Sequence, residues 1–362
     1  MQSPAEQAVL PCRVLIIDDS ATVRALLRGA LASDGRCEIV GEAADPIEAR
    51  DLIKRLQPDV LTLDIEMPKM DGLTFLDRLM RLRPMPVVML AGETMRGSTR
   101  AIEALTRGAV DCLGKSEIFG TARPLHLGDR LIAAARSRPS VRRSPAPAPV
   151  GTGPYRWNGR VVLIGASTGG VEALETVLRQ IPADGPPVLV VQHMSAPFIE
   201  RFVQRLADRI APAVRLATDG CRLEPGTILF APGGGRALSL APGRKTLCRM
   251  EPIADPAALS PSVDRLFASA RPMAGHVVAV LLTGMGSDGV AAMGRLRAGG
   301  ARCLAQDAAT SVVFGMPGAA LASGAAEMAV PLPDMAERIL ELTGRFDAAP
   351  GVHAQRYSKS GT

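Results

Sequence analysis

Two doubly wound, mostly parallel α/β domains joined by an extended connector are the architecture this 362-residue sequence predicts. Three observations carry that expectation. Short aliphatic runs alternate with amphipathic helical stretches along two separate segments, 12–135 and 160–345. Between them lies a Pro- and Arg-rich stretch, 136–159, with no apolar pattern from which to build a core. In both segments, reactive or charged residues gather just after the apolar runs, where parallel sheets hold their chemistry.

Composition sets the class. Hydrophobic residues make up 47% and charged residues 22%, as in ordinary soluble proteins. Aromatics are 3%, so the cores must be built from Leu, Val, Ile, Ala and Met. No apolar run approaches the length of a membrane span, so no membrane insertion is expected. Met1 to Pro11 lacks a basic segment followed by an apolar one, which argues against a secretory signal and for the cytoplasm. Cys12, Cys37, Cys112, Cys221, Cys248 and Cys303 form no C-x-x-C pair and read as reduced core residues. His126, His193, His276 and His353 show no metal-ligand spacing. The net charge of +6 is uneven. Residues 1–135 carry 17 basic and 19 acidic side chains, 136–159 carry five and none, and 160–362 carry 20 and 17. The connector's charge reads as a solvated face; the alternative is docking on an acidic partner. No face of clustered Lys/Arg with interleaved aromatics is evident, so no nucleic-acid partner is expected.

In the first segment, strands fit Val14–Ile17, Ile39–Val40, Val60–Leu63, Val87–Leu90 and Ala109–Leu113. Helices fit Ala21–Leu31, Pro46–Leu56, Gly72–Leu82, Arg96–Thr106 and Leu125–Ala135. Asp18-Asp19 follow the first strand, Asp64 the third and Lys115 the fifth. Taken singly, each aspartate could cap a helix and the lysine could be solvated. Together they point to one sheet-top site. Converging carboxylates repel unless a cation joins them, and oxygen-only ligands suit Mg²⁺. A carboxylate beside Mg²⁺ and a lysine can accept a phosphoryl group, because both cations neutralise developing charge.

The runs Leu15-Ile16-Ile17-Asp18-Asp19-Ser20 and Leu63-Asp64-Ile65-Glu66-Met67-Pro68-Lys69-Met70-Asp71-Gly72, with Lys115, resemble the receiver domain of bacterial two-component response regulators. The resemblance implies a flavodoxin-like fold and phosphorylation of Asp64 by a histidine kinase. It also implies that Asp18, Asp19, Asp64 and the Glu66 carbonyl hold Mg²⁺, and that Lys115 contacts the phosphoryl group. Receivers usually carry Ser or Thr where this chain has Ala91, an aromatic where it has Cys112, and Pro where it has Ser116. Those departures bear on the usual relay to the outer face, for which Thr94 is a substitute hydroxyl.

In the second segment, Val161–Ile164, Val188–Val191, Val277–Leu282 and Ala301–Leu304 read as buried parallel strands. Thr227 to Met250 reads as a hairpin or meander over one edge. Gly165-Ala166-Ser167-Thr168-Gly169 joins the first strand to a helix. Locally it fits a Gly-x-Ser-x-Gly nucleophile elbow and a phosphate cradle equally well. A dinucleotide site calls for an acidic residue after the next strand, where this chain has Gln192-His193. That favours a hydrolase. His193 and Asp288 follow two further strands, and a serine needs an imidazole and a carboxylate to become a nucleophile. The order Ser, His, Asp differs from that of lipase-type α/β-hydrolases. Singly, His193 could be structural and Asp288 a helix cap.

The motifs Gly165-Ala166-Ser167-Thr168-Gly169-Gly170, Gln192-His193-Met194, Ala231-Pro232-Gly233, Pro261-Ser262-Val263-Asp264, Leu282-Thr283-Gly284-Met285-Gly286-Ser287-Asp288-Gly289 and Val313-Phe314-Gly315-Met316-Pro317 resemble the catalytic domain of CheB-type chemotaxis methylesterases. This implies a Rossmann-like domain with Ser167, His193 and Asp288 as a triad. It implies that the Met285 N–H helps form an oxyanion hole beside Thr168. It further implies hydrolysis of glutamate methyl esters on the cytoplasmic helices of chemoreceptors, with release of methanol, and deamidation of receptor glutamines. No cofactor is implied for ester hydrolysis. The family usually carries basic residues just before Pro261, where this chain has Leu259-Ser260. The readings of another class are a response regulator whose output domain only binds DNA or protein, and an inactive scaffold. Residues 346–362 read as a polar, disordered tail.

Overall fold

Two parallel sheets, each covered by helices on both faces, hold the candidate residues at their carboxyl edges. The computed structural model describes residues 10–32, 34–68, 70–92, 95–119, 127–137, 153–241, 246–255 and 259–347. Thr94, His126, His353, most of the connector (138–152), the tail from 348 and the first two residues of the helix expected at 125–135 lie outside the described residues.

The first unit runs β1 (Cys12–Ile17), α1 (Ala21–Ala32), β2 (Cys37–Ala43), α2 (Pro46–Leu56), β3 (Val60–Asp64), α3 (Gly72–Leu82), β4 (Val87–Ala91), α4 (Met95–Thr106), β5 (Asp111–Gly114), α5 (Lys115–Phe119) and α6 (Leu127–Ala135). Its sheet is parallel, in the order β2-β1-β3-β4-β5. Strands β3 and β4 are buried along their whole length, which is why they read as continuous apolar runs rather than alternating ones. Helix starts are set by side chains: Asp45 accepts the N–H groups of Ile47 and Glu48 ahead of Pro46, and Asp71 accepts that of Thr74.

The second unit runs β6 (Tyr155–Trp157), β7 (Val161–Ala166), α7 (Gly170–Leu178), β8 (Val188–Gln192), α8 (Ala196–Ala207), β9 (Ala213–Leu216), β10 (Thr227–Phe230), β11 (Arg236–Ala241), β12 (Leu247–Pro252), α9 (Val263–Ser269), β13 (Val277–Leu281), α10 (Val290–Ala298), β14 (Arg302–Gln306), α11 (Met316–Ala322), β15 (Met328–Val330), α12 (Met335–Thr343) and β16 (Gly344–Phe346). Seven strands form one parallel sheet, β15-β14-β13-β7-β8-β10-β9. From β7 the chain builds outward to one side and then returns to build the other. The reversal between β7 and β13 opens a crevice at their carboxyl ends, the usual ligand position in such sheets.

Three details depart from the sequence reading. Thr227–Phe230 is a parallel strand of the main sheet beside β8, so only β11 and β12 form the antiparallel ribbon. Its four residues are too short a run to separate from a hairpin by periodicity. Residues 155–157, inside the expected connector, pair with 344–346, and Tyr155 Oη bonds Leu340 O and Thr343 Oγ1. The second unit is thus closed by a ribbon of its two ends, and Phe346 is a strand residue rather than part of a disordered tail. Strands β9 and β15, of four and three residues, were not foreseen.

The two units touch. A single apolar cluster runs through both, with α4 lying against α7 and α8 and Val312 packed on the first sheet's second face.

Candidate active site

At the carboxyl edge of the first sheet, Asp18, Asp19 and Asp64 bring one carboxylate oxygen each within 4.8 Å of one another. Lys115 Nζ lies 3.1 Å from Asp18 and 3.0 Å from Asp64. Burial, then the neighbouring Asp18, push the Asp64 carboxyl up to about 6 against the pull of Lys115. Burial alone would lower Lys115, yet the Asp64 and Asp18 carboxylates hold it above the usual lysine range. Asp18 Oδ2 is buried and faces the Lys115 ammonium, and Asp19 is exposed. Three carboxylates converging beside a single lysine leave an excess of negative charge on oxygen-only donors, which fits a Mg²⁺ ion. Glu66 lies on the loop after β3, where its N–H supports the Asp64 carboxylate. Ala91, the last residue of β4, and Cys112, the second of β5, are both buried.

In the second sheet, Ser167 follows β7 directly. The turn into α7 needs Gly169 at φ 78°, and close approach is needed at Gly284, where a Cβ would stand 2.7 Å from Ser167 Cβ. His193 follows β8 and its Nε2 lies 2.8 Å from Asp288 Oδ2. Asp288 in turn sits on the N-terminus of α9. It accepts the N–H groups of Val263 at 2.7 Å and Asp264 at 3.0 Å, and the Ser262 hydroxyl at 3.2 Å. Burial pushes this carboxyl up, but the His193 bond and the two backbone donors outweigh it and hold the group below its usual range.

The structure therefore brings His193 and Asp288 together beside Ser167. It does not close a Ser167–His193 hydrogen bond, and the Ser167 hydroxyl has no partner among the described residues. The backbone N–H groups of Thr168 and Met285 donate to no acceptor among those residues either, which leaves two donors available near the nucleophile. The Thr168 hydroxyl is engaged by the first unit: it donates to Asp111 Oδ2 at 3.3 Å, and Asp111 is ion-paired with Arg130.

Sequence reasoning missed several supporting residues. Gln192 Nε2 donates to Ser167 O at 2.9 Å, and Thr283 Oγ1 donates to Thr168 O at 2.9 Å while accepting Val313 N–H at the same distance. The α9 N-terminus under Asp288 explains the Pro261-Ser262-Val263-Asp264 motif. Each lies in a quoted motif, but a glutamine after a strand or a serine before a short helix carries no signal of what it will hold.

Comparison with known proteins shows the family. Residues 162–339 match the CheB methylesterase family and residues 14–120 the response regulator receiver domain. The chain is 47% identical over 339 residues to the protein-glutamate methylesterase/protein-glutamine glutaminase of Agrobacterium fabrum, covering 91% of this chain and 96% of that one. The chain belongs to the CheB methylesterase family. With the protein-glutamate methylesterase/protein-glutamine glutaminase of Bordetella bronchiseptica, identity is 45% over 343 residues, covering 92% of this chain and 97% of the other. The crystal structure of the Thermotoga maritima CheB methylesterase catalytic domain is 32% identical, spans 51% of this chain and 100% of that domain, and superposes with a TM-score of 0.48. This family member thus couples a receiver to a methylesterase, and no helix among its described residues is long and apolar enough to cross a membrane.

Proposed function

We propose that Ser167, His193 and Asp288 are the residues through which this chain acts as a protein-glutamate methylesterase and protein-glutamine glutaminase in chemotaxis adaptation. The observation that carries this reading is the His193–Asp288 bond on the α9 N-terminus, one strand away from Ser167. With Nε2–H given to Asp288, the other ring nitrogen accepts the Ser167 proton as the serine oxygen attacks the ester carbonyl. The Thr168 and Met285 N–H groups hold the resulting oxyanion, each such donor being worth about 3–4 kcal/mol in related enzymes. Methanol leaves with the proton from His193, and water releases glutamate from the acyl-enzyme. A glutamine side chain follows the same course and yields ammonia.

The receiver unit, taken as residues 12–135, governs this site. Ser167 is 3% exposed and Thr168 1%, with Asp111 bonded to the Thr168 hydroxyl, so a protein substrate has no access in this arrangement. A histidine kinase phosphorylates Asp64 in the cytoplasm, and the receiver then withdraws from the catalytic unit, residues 160–345 with the 155–157 strand. Asp18, Asp19, Asp64 and the Glu66 carbonyl would hold Mg²⁺, which supplies charge neutralisation for phosphoryl transfer. Lys115 contacts the phosphoryl group. The substrates are the cytoplasmic helices of chemoreceptors.

Methanol release from radiomethylated receptor membranes tests the assignment. The parent chain releases methanol and Ser167→Ala does not; equal release from both would remove Ser167 from its role.

A further inference from the structure

Helices α7 and α8 both begin just after Ser167 and His193, and ion pairs bridge them. Arginines collect along them. Arg179, Arg205 and Arg209 all reach one carboxylate, Glu175: Arg179 is ion-paired with it, and the other two stand 3.7 Å away. Arg205 Nε is buried without a hydrogen bond. Burial, and then the neighbouring Arg209 and Arg179, press on the Arg205 charge more than Glu175 relieves it. Arg201, one turn nearer the site, is matched only to a neutral group, Gln204 Oε1, at 2.7 Å. Arg201 and Arg205, four residues apart on α8, share one face about 6 Å from each other along the axis, and Arg209 follows in the turn after the helix.

This under-neutralised stripe is where α4 of the receiver lies. A cavity of about 280 Å³ remains at the seam, with Arg201 and Arg205 on one wall and Glu103 of α4 on the other. Glu103 is held by Arg107, just past the end of its helix, so it is shared rather than given over to the stripe. A helix with a carboxylate facing Arg201 and Arg205 is therefore already seated there.

We propose that the α7/α8 arginine stripe is the docking surface for the substrate helix, and that α4 occupies its seat with Glu103 in place of a substrate carboxylate. The inference rests on the esterase reading given above. Its chemistry follows from the reaction: each demethylation or deamidation leaves a glutamate, so turns neighbouring a remaining ester carry carboxylates. A helix lying along the stripe would set those carboxylates by Arg201 and Arg205 while its end reaches Ser167. Segments with earlier products nearby are bound more tightly than segments whose neighbours are neutral.

Binding can be read apart from catalysis. The full-length chain carrying Ser167→Ala, with acetyl phosphate and Mg²⁺, is titrated into two fluorescent helical peptides. Each has one glutamine at the reactive position, flanked at helical spacing by glutamates or by glutamines. The glutamate-flanked peptide is expected to bind about fivefold more tightly, the scale of two partly exposed ion pairs. Arg201→Gln/Arg205→Gln, checked for fold by circular dichroism, should abolish that preference. If the double variant does not fold, the preference in the parent must still shrink as salt is raised to 1 M. Equal binding of the two peptides, or a preference indifferent to the arginines or to salt, overturns the proposal. Binding as expected without methanol release from the Ser167-containing chain would instead overturn the esterase reading and leave the docking surface standing.

Discussion

The Asp288 carboxylate is the residue on which most of the active-site geometry converges, since it receives one imidazole, two backbone N–H groups and a hydroxyl. Replacing it with Asn keeps the shape but removes the charge that orients and stabilises the His193 imidazolium. Methanol release should fall by several orders of magnitude, as in other triads. The same charge contributes to stability with a definite sign. The group titrates lower in the folded chain than in the unfolded one, so its contribution is full above about pH 4 and is lost as pH falls through the lower folded value. Denaturant titrations of parent and Asp288→Asn should show a gap in unfolding free energy that is constant near neutrality and narrows below pH 4. A gap that widened on acidification would contradict the assigned direction. Gln192 works one layer out. Its Nε2 is the second donor to the Ser167 carbonyl, beside the Gly170 N–H, so Gln192→Leu removes one of that oxygen's two hydrogen bonds at a cost of about 0.5–1.5 kcal/mol and loosens the serine. Thermal unfolding and ester turnover should both drop in that variant.

At the scale of elements, the strand–turn–helix at Ser167 and the loop after β13 are shaped by what their glycines admit. A methyl group at position 284 would overlap Ser167 Cβ and the Met316 sulfur at 2.7 and 2.5 Å. Gly284→Ala should therefore abolish turnover while circular dichroism still reports both sheets; full activity would show that the loop yields at no cost. These elements were legible in the sequence because each couples a buried apolar run to a turn residue: Val161–Ile164 into Gly165, Val277–Leu282 into Gly284. Asp64 and Lys115 were legible in the same way, as charges at the ends of β3 and β5. What escaped was tertiary. Thr227–Phe230 joins the main sheet because β8 offers an open edge, and nothing within four residues announces that. Tyr155–Trp157 is a strand only because Gly344–Phe346 returns to it from the other end of the unit. The helix under Asp288 is seven residues long, too short for a periodic signal, and only the structure shows Ser262 capping it by accepting the Arg265 N–H.

Over the whole molecule, the phosphorylation of Asp64 proposed above would have to reach a serine in the other domain although Ala91 and Cys112 stand where receivers usually carry a hydroxyl and an aromatic. Strand β5 offers a direct connection. It is four residues long, about 13 Å. Lys115, which bonds Asp18 and Asp64, follows one end, and Asp111, which holds the Thr168 hydroxyl and Arg130, forms the other. On the reading proposed above, a phosphoryl group would draw Lys115 away from Asp18, and a shift of the strand end would be felt at Asp111 without any side-chain relay at 91 or 112. A connection by position alone is no proof of coupling, and the physical test is whether both ends bias the same two-state contact. The Thr168–Asp111 hydrogen bond has an ionised acceptor and is worth about 1.5–3 kcal/mol, enough to shift a closed–open equilibrium by one to two orders of magnitude. Asp111→Ala should therefore raise methanol release by the unphosphorylated chain at least tenfold and shrink the stimulation by acetyl phosphate in proportion. Arg130, left without its partner, makes Arg130→Met/Asp111→Ala the control for a lost ion pair within the receiver. If the single and double variants both keep the parent's low basal rate, the latch lies elsewhere on the α4–α8 seam. A high basal rate in both places it at β5, next to the strand end that Lys115 moves.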